Sequence, residues 1–167
     1  GGDVPVIGGP ANDVITNEHL GYGGYQAGVA VLAADLIFDV ESVGGLDKGE
    51  KEVGLELGRL LSTRRNPNEK IALLFYDSVK SPPPPSPVLN ISSYIIEGFE
   101  QGIGMNPPFI AGAGLIGSYT FNGGKLFCGT RVSDQHAVAT LLSGECSVYI
   151  TIMHGCKPMS DYHTITR

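Results

Sequence analysis

The chain has 167 residues, 42% of them hydrophobic, which is enough for one domain with a buried core and too few for two. Its formal net charge is −6, from 17 acidic and 11 basic residues, and Arg64-Arg65 is its one pair of adjacent basic residues. Nothing here indicates a surface built to neutralise phosphates, so we expect no nucleic-acid partner.

The cysteines and the apolar segments indicate a compartment. The chain has three cysteines, an odd number, and none of them has C-x-x-C spacing: Cys128, Cys146 and Cys156. This argues against a disulfide framework and against a zinc ribbon. No apolar stretch reaches the roughly 18 residues of a membrane span, and the N-terminus lacks the basic and apolar regions of a signal peptide. We therefore expect a cytoplasmic protein without a membrane partner.

The first half of the chain predicts one strand and one helix. Residues 26–33 have the composition of a strand. Asp47, with Glu50 three residues later, predicts a helix that begins with a capping box, and Asn66-Pro67 would end it. The apolar face of this helix would consist of Val53, Leu57, Leu60 and Leu61.

A β-α-β unit is predicted next. Residues 70–76 form a continuous apolar run typical of a strand buried on both faces, and residues 109–111 would be its partner. Between them, Asn90 is a good N-cap for a helix that would end near Gly102. The proline-rich residues 81–87 predict a surface loop, acting as a spacer or as a ligand for a proline-binding partner.

The second half predicts antiparallel strands and reveals a repeat. Further strands are expected at residues 125–132, 136–142 and 147–154, with a hairpin turn at residues 122–124. Two pairs of segments resemble each other, namely 4–9 with 107–112 and 26–32 with 135–141.

The fold expected from these elements is mixed α/β (α+β): two fused β-α-β-β type repeats with a mixed, largely antiparallel sheet and covering helices. In the second copy, a strand and a helix precede the repeated segment. In the first copy, only Gly1, Gly2 and Asp3 precede it. We therefore expect the chain to lack one upstream β-α element of its native protein.

Residues 112–117 read G-x-G-x-x-G after a strand, but they do not predict a dinucleotide site. That site needs a helix whose N-terminus holds the pyrophosphate, and the residues after Gly117 look like a strand that Asn122-Gly123-Gly124 soon interrupts. We expect no cofactor. Successive glycines in a turn can still present backbone N–H groups to a carboxylate or phosphate.

His154 and Cys156 invite three interpretations. They could be a thiol nucleophile with its base, part of a metal site with His136, Asp161 and His163, or a polar wall at a turn. Gly155 and Pro158 favour the turn, and no metal-ligand spacing is present. We expect no metal and no catalysis, with Cys156 and His154 kept as the alternative of a cysteine-dependent hydrolase or transferase.

Several segments together resemble the FIST family, named for F-box and intracellular signal transduction proteins. Residues 5–9 and 109–114 resemble the family's glycine turns, and residues 127–144 resemble its following hairpin. The tail resembles its H-G-x-x-P segment at residues 154–158 and, within residues 164–166, the valine- or isoleucine-threonine pair that follows it. The order and spacing fit over nearly the whole chain.

This resemblance implies one sensory domain over residues 1–167, continued in the native protein by a C-terminal FIST domain. It implies a small-molecule ligand, such as an amino acid or another small carboxylate, and an output signalling domain or protein as partner. A non-binding structural module is the other alternative. The predicted ligand contacts are Gly112, Gly114, Tyr119, His154, Gly155, Cys156 and Pro158.

Overall fold

A computed structural model describes residues 4–22, 26–32 and 36–151 and shows, within them, two helices and eleven strands. The helices are α1 (Glu50–Ser62) and α2 (Ser92–Ile103). The strands are β1 (Ile7–Gly8), β2 (Asp13–Ile15), β3 (Leu20–Tyr22), β4 (Leu36–Gly44), β5 (Glu69–Asp77), β6 (Val79–Ser81), β7 (Val88–Leu89), β8 (Phe109–Leu115), β9 (Leu126–Cys128), β10 (Arg131–Ser133) and β11 (His136–Gly144). This is the predicted mixed α+β class.

The central sheet has the strand order β4-β11-β5-β8. β11 is antiparallel to both of its neighbours, whereas β5 and β8 are parallel and are connected through α2. The predicted β-α-β unit is therefore confirmed, and the sheet is mixed. A smaller antiparallel sheet, β1-β9-β10, lies against β11, and two short pairs, β2-β3 and β6-β7, complete the described strands.

Both helices cover one face of the central sheet. Leu57 and Leu61 of α1 and Ile95 and Phe99 of α2 are fully buried, and they form one core with Leu141 and the small side chains of the sheet. Each fully buried side chain of this size stabilises the fold by about 2 kcal/mol. Neither helix is long and apolar enough to cross a lipid bilayer, among the residues that the structure describes.

The two helices pack with their backbones in contact. A Cβ atom on Gly54 or Gly58 of α1 would fall on the carbonyl oxygen of Ile95 or Phe99, and Gly98 and Gly102 of α2 have the same relationship to α1. The spacing of four residues places each glycine pair on one helix face. The glycines of this chain thus serve helix packing as well as turns.

The strand predicted in the first half was wrong, and one strand there was missed. Gln26 to Leu32, the described part of the strand expected at residues 26–33, have no regular secondary structure. The strand that the prediction missed is β4, which contains Asp39 and Glu41. These carboxylates interrupt the apolar pattern by which a strand is recognised in a sequence. In the fold, Arg64 near the end of α1 forms ion pairs with both of them.

Both predicted helix caps were also wrong. α1 begins at Glu50 after an extended Gly49, without a capping side chain, so Asp47 does not form a capping box. α2 begins at Ser92 after Ile91. The Asn90 side chain instead donates a hydrogen bond to the carbonyl oxygen of Asp77, because a buried tertiary partner takes the place of the local cap.

The turns of the second half differ from the prediction in three places. The strand expected at residues 125–132 is a hairpin, β9 and β10, whose turn lies at Gly129-Thr130 and not at residues 122–124. Residues 147–151 lack regular structure, and the rest of the strand expected at 147–154 lies outside the described residues.

The proline-rich segment is an exposed loop between β6 and β7, as predicted.

Candidate functional site

A polar cleft of about 430 Å³ lies where the edge strand β4 meets the small β1-β9-β10 sheet. We call it the edge cleft. Its polar lining residues are Glu41, Ser42, Arg64, Cys128, Arg131, Ser133 and His136, and Pro5, Val6 and Val40 form its apolar wall. A concave space of this size with a few converging polar groups is the usual form of a small-molecule site.

Arg131 supplies an exposed positive charge to the edge cleft that forms no ion pair among the described residues. It is the first residue of β10, directly after the two-residue turn at Gly129-Thr130, and it pairs with Cys128 across the hairpin. The turn is held in place because the Gly129 N–H donates to the carbonyl oxygen of Val6 at 2.7 Å, with Gly129 at a φ of +60°. A tight hairpin thus places a guanidinium with five N–H donors at the mouth of the cleft.

His136, the first residue of β11, brings a ring into the same cleft. Its Nδ1 lies 2.6 Å from the carbonyl oxygen of Asp134, so Nδ1–H donates and Nε2 is left for another partner. The ring lies over Gly44 of β4, where a Cβ atom would be 2.4 Å from His136 Cε1. Gly44 is therefore required for this ring position.

The negative side of the edge cleft is Glu41. Its Oε1 forms an ion pair with Arg64 Nη2 at 2.5 Å, with the Glu41 side chain 22% exposed. Arg64 lies just beyond the end of α1 and reaches back over the sheet edge, with Asp39 at 4.0 Å. The cleft therefore presents cationic and anionic groups side by side, an arrangement that complements a zwitterion.

Cys128 contributes a thiol that is unsuited to nucleophilic attack. Burial raises the pKa of the Cys128 thiol, and the Glu41 carboxylate raises it further, against a smaller opposite effect of Arg131. A thiol with a raised pKa stays protonated near neutral pH. Cys128 is thus part of the cleft wall and not a candidate nucleophile.

A buried carboxylate behind the cleft fixes the start of β11. Asp77 is fully buried, and its two oxygens accept hydrogen bonds from the N–H groups of Val79, Gly124 and Gln135 at 3.0–3.1 Å. Gln135 has a φ of +48°, and its carbonyl oxygen accepts from Gly45 and Leu46. Asp77 therefore holds the residue that directs His136 into the edge cleft.

The three predicted ligand contacts that the structure describes, Gly112, Gly114 and Tyr119, do not line the edge cleft. Gly112 and Gly114 lie inside β8, so the predicted glycine turn was wrong at these positions: residues in a strand point successive N–H groups in opposite directions. Tyr119 lies in the next turn and donates to Asp13 Oδ2 at 2.5 Å. His154, Gly155, Cys156 and Pro158 lie outside the described residues. Whether any of these seven residues contacts a ligand stays a prediction.

Apart from His136, which was considered as a metal ligand, sequence reasoning did not single out as site residues those that line the edge cleft. They come from five separate parts of the chain, so no local motif marks them. The one available signal was Arg131, a basic residue directly after a glycine-containing pair in a β-hairpin. Within the described ranges, no three histidine, cysteine, aspartate or glutamate side chains come together as metal ligands.

Comparison with known proteins gives one result that covers the whole chain. No curated protein and no solved structure matches it significantly. A family model described as the FIST N domain matches residues 1–167, in agreement with the resemblance found in the sequence. The chain therefore belongs to the FIST N domain family, a family of sensory domains in signal transduction.

Proposed function

We propose that this chain is a cytoplasmic, non-enzymatic sensory domain that binds an amino acid or a similar small carboxylate in the edge cleft. The observation that carries the proposal is the exposed Arg131 guanidinium in the edge cleft beside His136. Guanidinium groups bind carboxylates through two parallel hydrogen bonds, which gives both affinity and orientation.

Glu41 gives the site its second polarity. One of its oxygens is bonded to Arg64, and a carboxylate has further lone pairs with which to accept bonds from a ligand ammonium. Ser42 and Ser133 add hydroxyl groups along the same wall. A ligand with a carboxylate at the Arg131 end and an ammonium at the Glu41 end would satisfy both charges.

The edge cleft replaces the glycine turn as the proposed site. β8, which contains Gly112 and Gly114, and β4 are the two opposite edges of the central sheet, separated by three strand spacings or about 14 Å. One small ligand in the edge cleft cannot also contact those glycines. The predicted contacts in the tail can be tested separately, by His154→Ala.

The proposed output is transmission to a following signalling domain or protein. Arg64 connects the cleft to α1, since it bonds Glu41 from a position two residues after the helix ends. A ligand that competes for Glu41 would release Arg64 and change the end of α1. This route needs no chemical step, in keeping with the protonated Cys128 thiol in the cleft.

A thermal-shift comparison tests the proposal. The 167-residue chain is heated with individual amino acids, with small carboxylates such as acetate and succinate, and with amino acid amides that lack the carboxylate. A ligand at about 100 times its Kd stabilises the fold by about 2.7 kcal/mol. We expect carboxylates to raise Tm and the amides to have no effect. Equal shifts with the amides would contradict recognition of the carboxylate, and no shift with any compound would leave the structural-module alternative.

A further inference from the structure

A second, larger space lies at the opposite end of the sheet, where β5 and β8 begin. It has a volume of about 890 Å³ and lies between the loop after α1, the side of α2 and the loop before β8. We call it the basal groove. The residues that matter here are Arg65, Glu69, Lys70, Ile96, Glu100 and Phe109.

Arg65 in the wall of the basal groove has every donor occupied. Its Nε and Nη2 donate to Glu69 Oε1, Nη2 also donates to the Asn106 carbonyl, and Nη1 donates to the carbonyls of Ile103 and Met105. A guanidinium has five N–H groups, and these are five hydrogen bonds. Arg65 therefore ties the start of β5 to the end of α2 and cannot donate another hydrogen bond.

Glu69 is left with an unused oxygen. Its side chain is only 9% exposed, and the buried Oε2 has no hydrogen-bond partner in the described part of the chain. Lys70, the next residue of β5, also lines the basal groove, but it forms no ion pair with Glu69 in the described part of the chain. A buried carboxylate oxygen without a donor is unfavourable, so this position calls for a donor from outside the described residues.

The rest of the basal groove indicates the chemistry of that donor. Glu100 of α2 lies in the same lining and makes no side-chain hydrogen bond or ion pair within the described residues. Beside it are Ile96 and Phe109, the latter 67% exposed. Two carboxylates next to an apolar surface complement a cation on an apolar stem. A hard metal ion needs more oxygen ligands than this.

We propose that the basal groove binds an aliphatic organic cation, a primary ammonium or a guanidinium on a short apolar stem. Its N–H groups bond to Glu69 Oε2 and Glu100, and the stem packs on Ile96 and Phe109. Because Glu69 Oε2 is buried, a side chain in the groove wall must shift before a ligand can reach it. This site is separate from the edge cleft and shares no lining residue with it.

NMR titration of the 167-residue chain tests this proposal with butylammonium and butylguanidinium, and with 1-butanol as the uncharged control. We expect saturable shifts of the backbone amides of Glu69, Glu100 and Phe109 with both cations and none with butanol. Glu69→Gln should weaken binding by about tenfold, because a hydrogen bond to a charged group is lost. Glu100→Gln should weaken it by about threefold. Glu56→Gln, on an exposed position of α1, is the matched control and should change nothing.

Three results would overturn the proposal. Butanol could shift the same amides as strongly as the cations, both glutamine variants could bind like the original chain, or neither cation could shift these amides at any concentration. If Glu69→Gln fails to fold, Glu100→Gln and the butanol comparison still decide. Arg131 variants should leave cation binding intact, which separates this test from that of the edge cleft.

Discussion

Gly54 of α1 lies against the carbonyl oxygen of Ile95 in α2: a Cβ atom at position 54 would be 2.1 Å from that oxygen. The obstacle is backbone in a buried helix and not the end of a flexible side chain. Helix propensity alone predicts that Gly54→Ala stabilises the chain by about 1 kcal/mol. The packing predicts the opposite sign.

We expect Gly54→Ala to lower the free energy of unfolding by about 3 kcal/mol, because the helices must separate to admit a methyl group. For a chain of this size the shift in Tm would be about 6–10 °C downward. Glu56→Ala, two residues away on the exposed side of α1, should stay within about 0.5 kcal/mol of the original chain. An unchanged or raised Tm for Gly54→Ala would show that the helices do not touch through their backbones.

Asp77→Asn should destabilise the fold by about 3 kcal/mol, because an amide can replace one carboxylate oxygen but turns an NH₂ group toward another N–H donor. Urea unfolding measures the change. Asp47→Asn removes the same charge at an exposed position and should be neutral. Equal stability of the two variants would rule out the role of Asp77 in holding Gln135.

Gly44 and His136 should be coupled. Gly44→Ala displaces the ring and weakens its bond to the Asp134 carbonyl, at a cost of about 1–2 kcal/mol. His136→Ala removes the obstacle, so the double variant should be more stable than the sum of the single effects predicts, by about 1 kcal/mol. Strict additivity in the double-mutant cycle would mean that the ring does not lie over Gly44.

The Cys128 thiol should react more slowly than an ordinary thiol. In a chain with Cys146→Ser and Cys156→Ser, iodoacetamide labelling of Cys128 should reach its half-maximal rate at a higher pH when folded than in urea, because burial and Glu41 raise the pKa. Glu41→Gln should move that midpoint down, whereas Glu18→Gln should not. A midpoint at or below that of the unfolded chain contradicts this description of the cleft.

The same shift predicts a direction for stability. The folded state holds the thiol proton more tightly than the unfolded state, so its contribution is complete below the ordinary thiol pKa. It is lost as pH rises through the raised pKa. The free energy of unfolding should therefore fall over this alkaline range by more in the original chain than in Cys128→Ser.

The sequence predicted those parts of the fold whose signal is local. β5 and β11 are continuous apolar runs, and Asn66-Pro67 follows α1 closely. β4 escaped prediction because Asp39 and Glu41 interrupt its pattern, and its partner β11 is about a hundred residues away in the chain. The cap of α2 was predicted wrongly because the Asn90 side chain bonds a tertiary partner that only the fold brings near.

The candidate site was less predictable for the same reason. Arg131, His136 and Glu41 converge only when β11 pairs with β4 and the β9-β10 hairpin lies against the sheet edge. Local composition indicated the glycines at 112 and 114 instead, because a glycine-rich pattern is compatible with both a turn and an edge strand. In the structure these glycines belong to the edge strand β8. Only the order of weak motifs, and not any single one, indicated the family.

Isothermal titration calorimetry on Arg131→Gln tests the proposed ligand site most directly. The titrant is the carboxylate that raises Tm most, and the matched control is Lys125→Gln, which removes the same charge from an exposed position outside the edge cleft. We predict that Arg131→Gln weakens binding at least about tenfold, because a charge-assisted bidentate pair is lost, while Lys125→Gln binds like the original chain. Equal affinity of the two variants would contradict ligand binding through Arg131 in the edge cleft.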